Sequence, residues 1–260
     1  MNKTFKFSLF CFWLLGTVCP GKAGADSKPP NPKPELEWPS PVNDSEIYGV
    51  LLADILEYNS SGRSGALEWD LMGWRGGDTH RFWFKSEGEQ SGSLQNGGIG
   101  DIQALYGRMI SPFFDLQVGL ELDGIWGGSN HSASRVRGVL SLQGLVPYSF
   151  DVEPILFISQ TGDISFRFTA FREFLITQRM ILQFRLETNA AVQSVERFGI
   201  GSGFNDLTLG MRIRYELSRE IAPYLGMTWS ALLNDRSNFE KQAGPDVQGV
   251  AFVAGVRAWY

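Results

Sequence analysis

Gly249-Val250-Ala251-Phe252-Val253-Ala254-Gly255-Val256-Arg257-Ala258-Trp259-Tyr260 is the stretch that decides the fold. Alternate side chains of a strand point to opposite faces. One parity here holds Val250, Phe252, Ala254, Val256, Ala258 and Tyr260, all apolar or aromatic. The other carries Gly249, Gly255, Arg257 and Trp259. One greasy face, one mixed face and an aromatic end suit the closing strand of a membrane barrel, whose aromatic girdle lies at the membrane edge. They also suit the edge strand of a half-buried soluble sheet. The rest of the chain separates the two.

Residues 1–25 read as a secretory signal peptide. Lys3 and Lys6 precede an apolar run from Phe7 to Val18, and Ala23-Gly24-Ala25 supplies small residues for cleavage. Both cysteines, Cys11 and Cys19, lie inside it, so the mature chain has no disulfide framework. Removing three leader lysines leaves 20 of the 23 basic residues against 28 acids, a net charge of −8. That balance speaks against nucleic acid as a partner. No later stretch reaches the ~18 uninterrupted apolar residues of a membrane helix. A membrane location therefore requires a closed barrel. Residues 26–45, with six prolines between Pro29 and Pro41, are expected to form an extended periplasmic arm.

From residue 46 to residue 260 the pattern is strands and turns. About twelve strands are expected, with ten the smaller possible count. They lie near 46–58, 65–74, 80–89, 99–110, 113–123, 134–145, 148–158, 163–174, 178–189, 206–218, 221–232 and 248–260. The fifth is clean: Phe114, Leu116, Val118, Leu120 and Leu122 oppose Asp115, Gln117, Glu121 and Asp123. The first and fourth are ambiguous, because Leu and Ile occupy both parities. Connections alternate between short, as at Ser111-Pro112 and Val146-Pro147, and long and Gly/Ser/Asn-rich, as at 124–133 and 190–205. Residues 159–162 alone are short where a long loop is expected. Bacterial outer-membrane barrels sort their connections this way, with the short turns periplasmic. The expected fold is all-β: a transmembrane antiparallel up-and-down β-barrel with lipid outside and charge inside.

The expected lumen network includes Glu68, Arg81, Lys85, Glu87, Asp115, Glu121, Asp123, Arg212, Arg214 and Glu216, with further residues such as Asp70, Arg137, Glu153, Arg167 and Arg185 on the same faces. A simple hairpin register about 75–78 places Glu68 opposite Lys85. Both signs are abundant, so structural ion pairs and a polar path for ions are both open readings.

The chain resembles the copper resistance protein B family of Gram-negative outer membranes. Gly73-Trp74-Arg75-Gly76-Gly77-Asp78, Phe84-Lys85-Ser86-Glu87-Gly88-Glu89, Leu105-Tyr106-Gly107-Arg108 and Ser111-Pro112-Phe113-Phe114-Asp115 carry the resemblance. So do Gly144-Leu145-Val146-Pro147-Tyr148, Thr177-Gln178-Arg179, Arg212-Ile213-Arg214-Tyr215-Glu216, Ala222-Pro223-Tyr224 and Gly255-Val256-Arg257-Ala258-Trp259. It implies a barrel of copper homeostasis in the Gram-negative outer membrane, in contact with its lipid and with periplasmic copper-binding proteins. Copper, as Cu(I) or Cu(II), is the ion implied, with no organic cofactor. The family often carries Met/His-rich segments ahead of the barrel; residues 26–45 here contain neither residue.

Thioether and thiolate favour Cu(I), and imidazole favours Cu(II). His80 and His131 are the only histidines. Strand parity turns Met180, Met211 and Met227 to lipid and Met72 inward, with Met109 sharing the parity of Asp101 and Gln103. The sharpest metal hypothesis is a rim site of Met72, Met109 and His80 with Asp70 or Asp78; ordinary rim residues are the alternative. A small-solute pore or structural barrel without a metal role is the competing function. Catalysis is not expected: His131-Ser132 is the one His–Ser adjacency, in a loop without an orienting acid.

Overall fold

The structure is a computed structural model that describes residues 46–60, 65–91, 97–127, 133–195, 198, 200–233 and 248–260. The expected signal peptide, the proline-rich arm and His131 lie outside these residues. Twelve strands follow in chain order among the described residues. They are β1 (Tyr48–Asn59), β2 (Ala66–Gly76), β3 (His80–Ser91), β4 (Gly98–Ser111), β5 (Phe114–Trp126) and β6 (Ala133–Val146), then β7 (Phe150–Ser159), β8 (Ile164–Leu175), β9 (Met180–Ala191), β10 (Gly203–Tyr215), β11 (Ile221–Leu232) and β12 (Gln248–Trp259). Each pairs antiparallel with its predecessor, and β12 returns to β1 to close the barrel. Closure ends at the last residue: Leu51 and Tyr260 exchange both backbone hydrogen bonds at 2.8 Å. Residues 249–260 therefore form the seam with β1. Closure leaves no unpaired sheet edge, which a sheet surrounded by hydrocarbon could not tolerate.

Polarity is inverted relative to a water-soluble barrel. Leu120, Leu225 and Phe252 point outward and are 62, 68 and 67 % exposed, whereas Gln103, Gln117 and Glu121 point inward and are 0, 0 and 1 % exposed. Met180, Met211 and Met227 share the outward parity of their strands, as expected. Short connections join β2–β3, β4–β5, β6–β7, β8–β9 and β10–β11, and the longer ones fall at the other end. The short link at 160–163 is again the exception.

A bulge explains why the first strand resisted reading. Ala53 pairs with Leu71 but Ile55 pairs with Asp70, so Asp54 is the extra residue. Inward positions are Leu52 before the bulge and Ile55, Glu57 and Asn59 after it. A single parity cannot describe such a strand. In β4 the ambiguity has another source. Leu105 is inward and fully buried, in a lumen that is not charged throughout.

Trp83, Leu105, Val139, Ile155 and Phe157 form an apolar cluster inside the barrel, with Met72 and Trp74 packed against it. The Trp83 ring lies over Gly107, where a Cβ would sit 2.5 Å from the indole nitrogen. Gly107→Val should displace this ring and destabilise the barrel by about 1–3 kcal/mol through overpacking. Thermal unfolding in detergent, followed by near-UV signals from tryptophan, checks it.

Candidate functional site

The inward side chains divide the lumen along its axis. Toward the long-connection end lies a cavity of about 890 Å³, lined by the ends of β1 and β11 and the starts of β8 and β12. Its lining carries eight carboxylates, among them Glu68, Asp70, Glu87, Glu89 and Asp101, against five guanidiniums. The apolar cluster lies on one side of the lumen, on strands between β3 and β7, and its Phe157 also lines this cavity.

A network of ion pairs runs through the lumen and along the cavity wall, most of them joining strands that are not neighbours. Arg212 of β10 holds Glu57 of β1 through two hydrogen bonds of 2.9 and 2.6 Å. Arg214 holds Glu173 through two of 2.9 and 3.1 Å. Arg185 of β9 reaches Asp70 of β2 at 3.0 Å and Asp54 at 3.5 Å, and Arg257 reaches Asp54 at 2.7 Å. Arg167 of β8 meets Glu87 of β3 at 2.6 Å and Asp101 at 3.7 Å. Lys85 of β3 meets Glu153 of β7, whose carboxylate also accepts from Ser141 at 3.1 Å. Arg137 binds Glu121 between neighbouring strands, Gln103 donates to the same carboxylate at 3.1 Å, and Arg135 meets Asp123 at 2.7 Å. Arg81 meets Asp115 at 2.8 Å near the short turns. Two-point guanidinium–carboxylate contacts fix orientation as well as distance. Arg137 and Arg167 also lie over the Phe157 ring, at 4.2 and 5.4 Å from its centroid. Charged layer and apolar cluster are thus in contact.

Several expectations need correction. Glu68 does not oppose Lys85. The β2–β3 register pairs Glu68 with Glu89 and Met72 with Lys85, because β2 continues to Gly76 before turning. Glu68 instead accepts from Asn59 at 2.6 Å. Glu216 lies past the end of β10, and its backbone bonds to Arg179 at the short-turn rim. Glu57, Asp54 and Asp101 were not expected in the network. The bulge hid the first two, and doubt over β4 hid the third.

The rim site does not assemble. Met72 stands at the level of Lys85, and its sulfur lies 4.0 Å from the Gln143 amide nitrogen. Met109 stands beside Thr79, bonded through its backbone at 2.9 Å. Lys85 and Thr79 are six residues apart, about 20 Å along a strand at ~3.3 Å per residue. A metal–sulfur bond is about 2.3 Å, so the two sulfurs cannot share an ion. His80 has the outward parity; its Nδ1 lies 2.6 Å from the Tyr106 hydroxyl and its ring stacks on that tyrosine. Asp70 is held by Arg185. Among the described residues no group of three or more His, Cys, Asp or Glu side chains is placed to hold a metal ion.

A sealed up-and-down barrel with an apolar belt and an ion-paired lumen defines the class of protein. Comparison with known proteins specifies it further. A family model described as "Copper resistance protein B precursor (CopB)" matches residues 47–260. A copper resistance protein B of Escherichia coli is 36 % identical over 219 residues, 84 % of this chain and 72 % of that protein. A copper resistance protein B homolog of Pseudomonas syringae pv. tomato is 33 % identical over 219 residues, with the same two coverages, 84 % and 72 %. Among solved structures, a KdgM porin aligns with a TM-score of 0.46 at 13 % identity, over 81 % of this chain and 98 % of its own. A NanC porin aligns with a TM-score of 0.49 at 11 % identity, over 81 % and 99 %. The chain belongs to the copper resistance protein B family.

Glu57 is 0 % and Arg212 7 % exposed at the side chain. Arg212→Met should cost about 3–5 kcal/mol, because it leaves a buried carboxylate without a counter-charge. Arg212→Met combined with Glu57→Leu should recover most of the loss. Unfolding free energies of the three proteins in one detergent measure the effect.

Proposed function

We propose that this protein is an outer-membrane barrel of copper resistance, exported through a cleaved leader, with copper as its cargo. Membership of the copper resistance protein B family across the whole barrel carries this reading. The outward apolar belt supports a location in a bilayer. The short turns, the start of β1 and the end of β12 then face the periplasm, where copper-binding proteins are the expected partners. The long connections and the acid-rich cavity face outside.

The donor set bears on how copper is handled. The described lining of the cavity offers carboxylate, amide and guanidinium groups, with neither thioether nor imidazole. Soft Cu(I) gains little from such a surface, and Cu(II) is the better matched of the two. An excess of carboxylates at a concave mouth raises the local concentration of cations. The cavity thus gathers hydrated Cu(II) by charge, without a dedicated coordination sphere. Enzymatic activity is not part of this proposal.

A second reading, a structural barrel or narrow small-solute pore without a metal role, is favoured by the apolar cluster inside the barrel and by the ion pairs that cross the lumen. Two measurements separate them. Cells lacking the protein should be more sensitive to copper, and re-expression should restore tolerance; unchanged tolerance and cell copper discard the copper reading. In planar bilayers the barrel should conduct poorly. Trp83→Ala with Leu105→Ala should raise conductance if the apolar cluster is the barrier.

A further inference from the structure

Charge is distributed very differently on the outer face. Among the described strand residues, the outward-facing ionised side chains are Arg75, Arg108 and Arg172, and no carboxylate faces outward. All three lie within the last four residues of their strands, at the short-turn end. The strand arginines of the lumen, by contrast, each meet a carboxylate.

Arg172 is the most constrained of the three. Its guanidinium lies over Phe174 at 4.5 Å and Phe150 at 5.1 Å. Its Nε is buried and finds no acceptor among the described residues. A guanidinium beside hydrocarbon needs an anion, and a phosphate matches its donor geometry. Directly beside it on the outer surface is a groove of about 470 Å³. The register places Phe150 and Phe184 opposite Arg172, and both line that groove. Ala170, two residues along β8, supplies the recess, and Met211, Met227 and Trp229 continue it across β10 and β11. A guanidinium that meets no carboxylate among the described residues, beside an apolar trough, has the polarity of one lipid molecule: phosphate at one end, hydrocarbon along the other.

We propose that Arg172 and this groove hold a glycerophospholipid of the periplasmic leaflet, its phosphate on the guanidinium and one acyl chain over Ala170. The inference rests on the membrane reading of the barrel. The site is fixed by one arginine and one recess, so it is distinct from the general lipid annulus.

The test uses the full barrel purified in a mild detergent, stripped of lipid and titrated with phosphatidylglycerol under native mass spectrometry. The unsubstituted protein should retain one phospholipid in preference to others. Arg172→Gln, which removes the charge, and Ala170→Phe, which fills the recess, should each weaken retention about tenfold. Arg75→Gln, on a strand away from the groove, should leave it unchanged. Equal retention by Arg172→Gln and the unsubstituted barrel overturns the proposal. Competition by inorganic phosphate as effective as by the lipid also overturns it, since the groove would then contribute nothing. A dimer dispersed by Ala170→Phe overturns it in favour of a second copy of the chain. A mature protein that stays in solution without detergent defeats the membrane reading itself. Equal retention by a detergent-requiring protein defeats the lipid site alone.

Discussion

A guanidinium enclosed in a narrow cylinder must meet a carboxylate, and that requirement shapes the inside of this barrel. Backbone pairing sets the order of strands, but each strand bonds only to its neighbours. Three of the arginine pairs act between strands that are not neighbours in the sheet. Arg212–Glu57 ties β10 to β1, Arg185–Asp70 ties β9 to β2, and Arg167–Glu87 ties β8 to β3. They brace the cross-section in the way a packed core braces a soluble domain. Apolar side chains on the outside cannot do this, because they gain nothing by leaving one hydrocarbon phase for another. Losing one partner exposes the other to an environment that cannot solvate it.

The apolar cluster completes the brace where charges are sparse. Trp83, Leu105, Val139, Ile155 and Phe157 come from one side of the barrel, β3 to β7. Phe157 contributes its ring to the cluster and its face to Arg137 and Arg167. The two layers therefore share a side chain, and a shift in either is felt by the other.

Strand number, closure and the facing of most residues were legible because a strand's side chains alternate with a period of two, and a membrane barrel imposes it on every strand. No strand end moved by more than three residues from its expected place. Reading failed where that period breaks. One extra residue at Asp54 brought both Asp54 and Ile55 to the lumen, which concealed Glu57. It failed again where polarity was equated with facing. Trp83 lies between Arg81 and Lys85, and Val139 between Arg137 and Ser141, so both occupied the charged parity in plain view. The cross-lumen partners could not be read at all, since they depend on how the closed sheet brings distant strands opposite one another. The proposed Met72–Met109–His80 site failed for a related reason. Residues grouped by nearness to a rim were separated by register and by the two faces of the wall.

These constraints bear on how copper would be handled on the reading proposed here. A cation moving inward past the charged layer competes with arginines for the same oxygens. Both oxygens of Glu57 are already bonded to Arg212, and the Glu57 side chain is closed to water. An ion that displaced Arg212 would exchange one buried charge for another and leave the guanidinium unpaired. The surplus of carboxylate over guanidinium lies instead at the mouth, where water remains to solvate whatever is displaced. On that reading electrostatic capture would belong to the mouth, and passage would need several pairs to shift together.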